Sequence, residues 1–290
     1  MTTAGQVIAI GILLGLVYTL SGLGLTISLG VLRILNLTHG VIVIGGAFFA
    51  FDLLAAWHVT PVLGALLALP VFSILGLVLD RLVVRRAARF SEHTVLLALF
   101  GMMILLQSVA ILIWTADSRS ITVSYTNSRI TIGGVVLPTD YVVAAAAAVM
   151  ILVVIEGLLR GTMPGRAVQA LAQNPDAART LGINVDRYTS VVFALSVGVT
   201  ATSGALLADL FPFAVENQTQ WLAFAFIVVL VGGTGRVVNA VVGGLALGLA
   251  QAVFNQVLPL NDVDVVVYGL LAVVLIIRGG GLAGRTERAL

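Results

Sequence analysis

Long apolar stretches separated by short polar segments run through most of the chain. A helix of about 20 apolar residues is long enough to cross the hydrocarbon core of a bilayer. The clearest runs of this kind lie at 7–32, 41–57, 61–79, 94–115, 141–159 and 188–208. The pattern predicts an all-α integral membrane protein, a polytopic helical bundle of about eight or nine transmembrane helices.

The C-terminal third is harder to divide into spans. The apolar run 221–231 is shorter than a full crossing, so it predicts either a tilted helix buried by its neighbours or a re-entrant half-helix. A second run follows, and a last short span ends near Arg278, beyond an acidic turn at 261–264. We expect residues 1–290 to form a single transmembrane domain.

Glycines recur at helical spacing in two of these runs. Gly11, Gly15 and Gly22 lie along one face of the first run, and Gly244 and Gly248 form a G-x-x-x-G face near the C-terminus. Residues without a side chain let two helix backbones approach closely in a membrane. The glycine faces therefore predict close helix crossings and do not specify a substrate.

The composition narrows the class of function. Only 10% of the 290 residues are charged, against about 25% in soluble proteins. All 15 basic residues are arginine. A phosphate-binding P-loop ends in Gly-Lys-Ser or Gly-Lys-Thr, so this chain lacks a standard site of that type and any ATP-driven function must depend on a partner. With no cysteine and three scattered histidines, we expect no metal site.

The distribution of arginine predicts an orientation. Four arginines, Arg81, Arg85, Arg86 and Arg89, cluster in what we expect to be a short loop, and four more lie within 160–187. By the positive-inside rule both segments are cytoplasmic. Segment 117–140, whose alternating β-branched residues predict a small hairpin, and linker 209–220 then lie outside. The tail after Arg278 carries further arginines, so we expect a cytoplasmic C-terminus.

The longest polar interruption, residues 161–187, predicts a cytoplasmic docking loop. Asn174 can cap a short helix, Pro175 suits its first position, and Asp176 places a negative charge at the positive end of its dipole. Gly182 supplies a left-handed stop. A helix of about two turns is marginal in water. We expect it to pack against this chain's own membrane helices or a second protein.

A polar break at Asn36, Leu37, Thr38, His39 and Gly40 separates the first two apolar runs. Polar groups and broken backbone at membrane depth are tolerated only where they face protein or a water-filled cavity. Transporters place such breaks beside their substrates. The alternative is an ordinary interfacial turn, with Arg33 and His39 at headgroup level. The sequence leaves both open and favours the turn where direct substrate contact is concerned.

Two further acidic residues have simple structural interpretations. Asp52 lies near the outer end of the second run, shortly before His58, so we favour an interfacial position over a buried proton-coupling role. Glu156 and Arg160 are spaced i, i+4 near a helix end, which predicts a local ion pair.

Several segments together resemble one family, the permease subunits of branched-chain amino-acid ABC importers. The resemblance lies in segments 34–48, 80–108, 165–187, 225–253 and 278–284. Its most specific part is the pattern A-x-N-P-x-x-A-x-x-x-G-I-N, which runs from Ala172 to Asn184.

The resemblance implies that the loop at about 161–187 contains the coupling helix that seats in a cytoplasmic ATPase. The residues that it assigns to this loop are Gly165, Arg166, Ala170, Asn174, Pro175, Ala178, Arg179, Gly182 and Ile183. Asn36, Thr38, His39 and Gly40 are candidate pathway residues. No residue is expected to be catalytic, and no cofactor is expected in this chain, because ATP and magnesium would bind the partner.

The resemblance also implies an assembly and a location. Two cytoplasmic ATPase subunits, a related permease chain or a second copy, and an extracytoplasmic binding protein would join this chain in the inner membrane, in contact with lipid. The solute would be a branched-chain amino acid or a related small molecule such as urea or an amide. The alternative is a self-contained secondary transporter or channel for a small polar solute.

Overall fold

The protein is a bundle of long helices in a computed structural model that describes residues 2–126 and 128–257, together with 269, 272 and 273. The helices are α1 (Thr2–Ile27), α2 (His39–Trp57), α3 (Pro61–Leu79), α4 (Arg85–Ala87), α5 (Glu92–Trp114), α6 (Thr139–Gly161), α7 (Met163–Gln173), α8 (Pro175–Thr180), α9 (Val185–Leu210), α10 (Gln218–Gly232) and α11 (Val237–Val257). Strands β1 (Arg129–Ile132) and β2 (Val135–Pro138) pair antiparallel. Eight helical segments of this described part are long and apolar enough to cross a membrane, which confirms the predicted architecture.

Helix α9 is the centre of the bundle. Of its membrane-crossing window 89% is buried, against 11% for α5 at the periphery. Small residues allow this packing: a Cβ added to Gly76 of α3 would lie 2.8 Å from the Cα of Ala194. The close approach of α3, α2 and α1 to α9 follows from such positions.

The predicted glycine faces meet each other. A Cβ on Gly15 of α1 would lie 2.7 Å from the Cα of Leu245 in α11, and one on Gly248 would lie 2.5 Å from the Cα of Gly15. Gly22 faces Val228 of α10 instead. The first and last described spans therefore pack backbone against backbone.

Two sequence-based boundaries are wrong. The arginine cluster after residue 79 is not a loop, because α3 continues through a π-helical segment, Asp80–Val84, into α4. The linker 209–220 is shorter than expected, because a 3₁₀ turn at Val215–Asn217 leads directly into α10. With that turn the short run becomes an 18-residue span, Val215–Gly232. The acidic turn at 261–264, the last span and the basic tail lie outside the described residues.

The ends of α3, α6 and α1 and the start of α9 meet at one end of the bundle, which we call the arginine-rich end. Arg85 donates from Nη2 to the carbonyl of Asp186 at 2.9 Å, which joins α4 to α9. The amide of Gly235, in the turn before α11, donates to the carbonyl of Thr26 at 3.3 Å. Most described arginines lie here, as the positive-inside rule requires of one end of a membrane protein.

The opposite end carries the predicted hairpin and aromatic side chains. The ring of Trp114 stacks on Phe48 with centroids 4.8 Å apart, and its Nε1 donates to Asp52 at 2.8 Å. Asp52 is exposed, which agrees with an interfacial position. Trp57 is exposed as well, and tryptophan is enriched at membrane–water interfaces.

Candidate functional site

The polar segment 161–187 folds into two helices, and the first of them is an anchor. Thr162 caps α7 by accepting a hydrogen bond from the amide of Gly165 at 3.1 Å. Gly165 is buried against the last turn of α6, where a Cβ would lie 2.6 Å from the carbonyl carbon of Leu159. Val168 and Leu171 continue this buried face at helical spacing. Helix α7 is therefore held by packing against the ends of the membrane helices α6 and α9.

Sequence reasoning missed α7 as a separate helix. The signals were present: threonine at the cap, proline in the first turn, and a buried stripe at Gly165, Val168 and Leu171. A further contact could not have been predicted, since the Gln169 amide donates to the carbonyl of Leu159, ten residues away, at 2.8 Å.

Helix α8 begins and ends as predicted. The Asn174 side chain accepts hydrogen bonds from the amides of Asp176 at 3.0 Å and Ala177 at 3.1 Å. Pro175 is in the first turn, and Gly182 has a φ of +80°. The amide of Ile183 returns to the carbonyl of Ala178 at 3.1 Å, closing the C-terminal turn. Both caps of the short helix are confirmed.

Helix α8 exposes most of its surface. Ala178 is its one buried residue. Ala170, on α7, and Ile183, after the stop at Gly182, are half-buried. Arg179 is exposed and lies 3.9 Å from Asp176, while Leu181 is 80% exposed. Arg166, on α7, is exposed too. A capped helix with an exposed leucine, mounted on a buried one, is a surface suited to a partner protein.

The polar break before α2 is buried inside the bundle. The Asn36 carboxamide accepts from the Thr38 amide at 3.1 Å and from its hydroxyl at 2.6 Å. His39 is 1% exposed, and its Nδ1 lies 3.2 Å from Thr200 Oγ1, in the middle of α9. Only Arg33, with a φ of +55°, is exposed. The headgroup interpretation is therefore wrong for His39, because the chain returns into the bundle before α2 begins.

The geometry leaves one nitrogen of His39 unused. Thr200 Oγ1 donates to the carbonyl of Ser196 at 2.7 Å, which leaves its lone pairs free to accept from Nδ1 of His39. Nε2 is buried and has no hydrogen-bond partner within the described part of the chain, and the same is true of the nearby Ser21 hydroxyl.

Gly40 is required by packing. The start of α2 crosses the start of α10 here, and a Cβ on Gly40 would lie 2.8 Å from the carbonyl carbon of Gln218 and 3.2 Å from Leu222 Cβ. The side chain of Gln218 is buried, with Oε1 unpaired among the described residues. Helices α1, α2 and α10, which pack together around the break, thus each carry a buried polar group without a hydrogen-bond partner among the described residues.

The two sites are in physical contact. Helix α7 packs against the π-helical segment Ser28–Leu32, which ends α1 and leads into the break. The same segment packs on α9. Irregular π-turns inside helices are frequent at functional sites. One short segment therefore connects α7 with the break.

A cavity of about 670 Å³ lies beside this contact, between α7 and the turn that follows α10. Glu156 and Arg160 line it and form the predicted ion pair, with Arg160 Nε 2.5 Å from Glu156 Oε1. Thr234 and Gly235 form the facing wall. The cavity therefore separates this part of α7 from the turn.

At the opposite end, a buried carboxylate holds the hairpin segment. Asp209, near the end of α9, is buried and accepts from the Tyr125 hydroxyl at 3.0 Å. Burial, and then the neighbouring charge of Asp209, raise the pKa of the Tyr125 phenol above its usual value. Tyr125 therefore stays a proton donor at physiological pH. Sequence reasoning missed this pair because 84 positions separate its members.

The architecture defines a class: a multi-pass membrane protein with a buried helix break and, at the arginine-rich end, an exposed elbow. By the elbow we mean helices α7 and α8 together, Met163–Thr180. The sequence matches the family model described as "Branched-chain amino acid transport system / permease component" over residues 7–276. The chain belongs to this family of transport permeases.

Individual relatives of known function support the same family assignment. The chain is 28% identical to the high-affinity branched-chain amino acid transport system permease protein LivH of Escherichia coli K12, over 96% of this chain and 94% of that one. It is 27% identical to the corresponding protein BraD of Pseudomonas aeruginosa, with the same coverage. The ribose import permease protein RbsC of Haemophilus influenzae is 29% identical over 58% of the chain. No solved structure matches.

Membership settles the general role. The chain is a multi-pass membrane permease subunit of an ABC transport system, and it is a transport protein rather than an enzyme. Membership implies ATPase and binding-protein partners in general.

Proposed function

We propose that this chain is the membrane-spanning subunit of an importer for branched-chain amino acids, or for a related small solute such as urea or an amide, delivered by an extracytoplasmic binding protein. The observation that carries the proposal is the elbow of α7 and α8. In α8 both caps are formed and most of the surface is exposed, so this short helix can bind a partner protein without first having to fold.

The assembly that we propose has two cytoplasmic ATPase subunits, each of which binds ATP and magnesium. A related permease chain or a second copy of this one completes the membrane part, and lipid surrounds it. The arginine-rich end faces the cytoplasm under the positive-inside rule, with the C-terminus on the same side.

Coupling in this proposal runs from α8 to the break. An ATPase that moves α8 also moves α7, because Asn174 joins the two helices: its amide donates to the carbonyl of Ala170 in α7, and its side chain caps α8. Helix α7 then displaces Ser28–Leu32 and, with it, the chain that enters the break at Asn36. ATP changes the access of the pathway only if it binds the two permease states with different affinity.

The break is the proposed pathway wall. His39 Nε2 is a buried ring nitrogen beside the middle of α9, and neither it nor Ser21 Oγ has a hydrogen-bond partner among the described residues. Such groups are suited to the ammonium or amide protons of a small solute, and their desolvation is costly while they stay unpaired. In this conformation His39 is closed off, so a solute reaches it only after rearrangement.

The docking test changes one exposed side chain. Leu181→Asp should abolish recovery of the ATPase in a mild-detergent pull-down, because a carboxylate replaces an apolar contact of α8 without disturbing the fold. Phe90→Asp is the matched control, since Phe90 is 81% exposed at the same end but belongs to another turn. Equal loss in both variants would contradict a docking site on α8.

The pathway test uses the same purified complex. His39→Ala and Asn36→Ala should lower ATP-dependent uptake into proteoliposomes while ATPase recovery stays normal. Normal uptake in both variants would refute the pathway assignment. Uptake by the chain alone, without ATP, would refute the ATP-driven function and favour a secondary transporter.

A further inference from the structure

A second cavity, of about 470 Å³, lies between α3 and α9 at the arginine-rich end. Arg81 and Arg85 line it from the π-helical continuation of α3 and from α4, and Arg187 lines it from the first turn of α9. Asp186 is the one acidic residue in its wall. The proposed transport mechanism gives no role to this cavity.

One wall of the cavity is rigidly built. Asp80 is buried and accepts from the Ser190 hydroxyl, and Arg85 donates to the same hydroxyl and to the carbonyl of Asp186. The Arg85 Nε lies 3.8 Å from Asp80. Arg85 therefore balances the buried charge of Asp80. Within the described residues, neither Arg81 nor Arg187 forms an ion pair or hydrogen bond through its side chain.

The cavity has an apolar floor and a basic mouth. Leu77 lies one helical turn from Arg81 on α3, and Val191 lies one turn from Arg187 on α9. The helices run in opposite directions, so each apolar residue is the deeper member of its pair. An exposed apolar strip on α3 continues away from the mouth, through Ile74 and Val78.

We propose that this cavity binds the phosphate of an anionic phospholipid from the leaflet at the arginine-rich end. The two unpaired guanidinium groups supply charge-assisted hydrogen bonds to phosphate oxygens. Leu77 and Val191 receive the first carbons of an acyl chain, and the exposed strip carries the rest. A free phosphate ion would use only the mouth, and the apolar floor therefore favours the lipid. Basic pockets between membrane helices commonly bind anionic headgroups.

The site has a consequence for the elbow. Asn184 and Arg187 belong to the wall and follow directly on the stop at Gly182. A bound headgroup would bridge α3 and α9 and fix the attachment point of α8. The lipid site depends on membrane embedding and charge and not on the transported solute. A failure to bind lipid would therefore leave the proposed transport function untouched.

The test measures lipid binding to the purified, delipidated chain. Native mass spectrometry with phosphatidylglycerol should show one retained lipid, and phosphatidylcholine should bind at least about tenfold more weakly. The double variant Arg81→Gln/Arg187→Gln should lose the difference between the two lipids. The double variant Arg86→Gln/Arg89→Gln removes the same charge from exposed positions outside the cavity and should keep it.

Four results would overturn the proposal. Equal binding of both lipids would show that charge is not recognised, and equal loss in the two double variants would show only a general effect of net charge. Inorganic phosphate that displaces phosphatidylglycerol at similar concentration would show an ion site without a lipid. If Arg81→Gln/Arg187→Gln keeps its lipid but loses the ATPase in a pull-down, the cavity belongs to a protein interface.

Discussion

Replacement of Asn174 by alanine separates the stability of α8 from that of the rest of the protein. The change removes the two hydrogen bonds to the amides of Asp176 and Ala177. Loss of an N-cap costs about 1 kcal/mol, within a range of about 0.5–2. A helix of six residues has little stability of its own, so it has no reserve against this loss.

The magnitude follows from the equilibrium between folded and frayed α8. A loss of about 1 kcal/mol lowers the ratio of helix to coil about fivefold. If the ATPase binds only the folded helix, its apparent dissociation constant rises by up to that factor. The complex should still assemble at high ATPase concentration, with transport restored, because no membrane helix is altered.

Two measurements check this expectation. A titration of the purified ATPase against Asn174→Ala in nanodiscs should show the weakened binding, and hydrogen exchange should quicken at residues 177–182. Asn174→Asp should behave nearly as the parent, since aspartate caps as well as asparagine.

Ser91→Ala is the matched control. Ser91 caps α5 by accepting from the amide of Thr94 at 3.1 Å, but α5 has 23 residues and a membrane environment to stabilise it. ATPase affinity should therefore be unchanged in this variant. An equal weakening in Ser91→Ala, or unchanged affinity together with faster exchange in Asn174→Ala, would refute the argument that a folded α8 is what the partner recognises.

Two further predictions concern glycines. Gly182 has a φ of +80° and open space where its Cβ would be, so Gly182→Val should impair ATP-coupled uptake through backbone strain alone. Gly182→Asn should be tolerated, because asparagine adopts positive φ more readily, and equal uptake in both variants would contradict this account. Gly248→Ala should lower the free energy of unfolding of the permease by about 1–3 kcal/mol, because the added methyl group meets the backbone of Gly15. In the same thermal unfolding assay Gly101→Ala, whose methyl group meets nothing, should be neutral or stabilising.

Local sequence signals were sufficient for most of the fold. Runs of apolar residues gave the spans because the bilayer fixes their length, and Asn174, Pro175 and Gly182 gave both ends of α8 because caps depend on neighbouring backbone. The continuation of α3 through Asp80 was missed. Arginines after an apolar run suggest a loop, but here Arg85 is held to α9 by a contact 101 positions away.

The candidate pathway shows where local signals fail. Asn36 to Gly40 read equally well as a surface turn or as a buried break, because the residue types are the same in both. What decides is the partner of His39, the hydroxyl of Thr200, 161 positions along the chain. No periodicity carries that information.

The position of the break also explains why the elbow is built in two parts. In the proposed coupling scheme, α8 alone would be a poor lever, because a helix of six residues is only marginally stable without packing. Helix α7 would supply the support that α8 lacks, because its Gly165, Val168 and Leu171 are buried and because it contacts the segment that enters the break. Weakening α7 should therefore uncouple ATP hydrolysis from transport while leaving ATPase binding intact, whereas weakening α8 should reduce binding first.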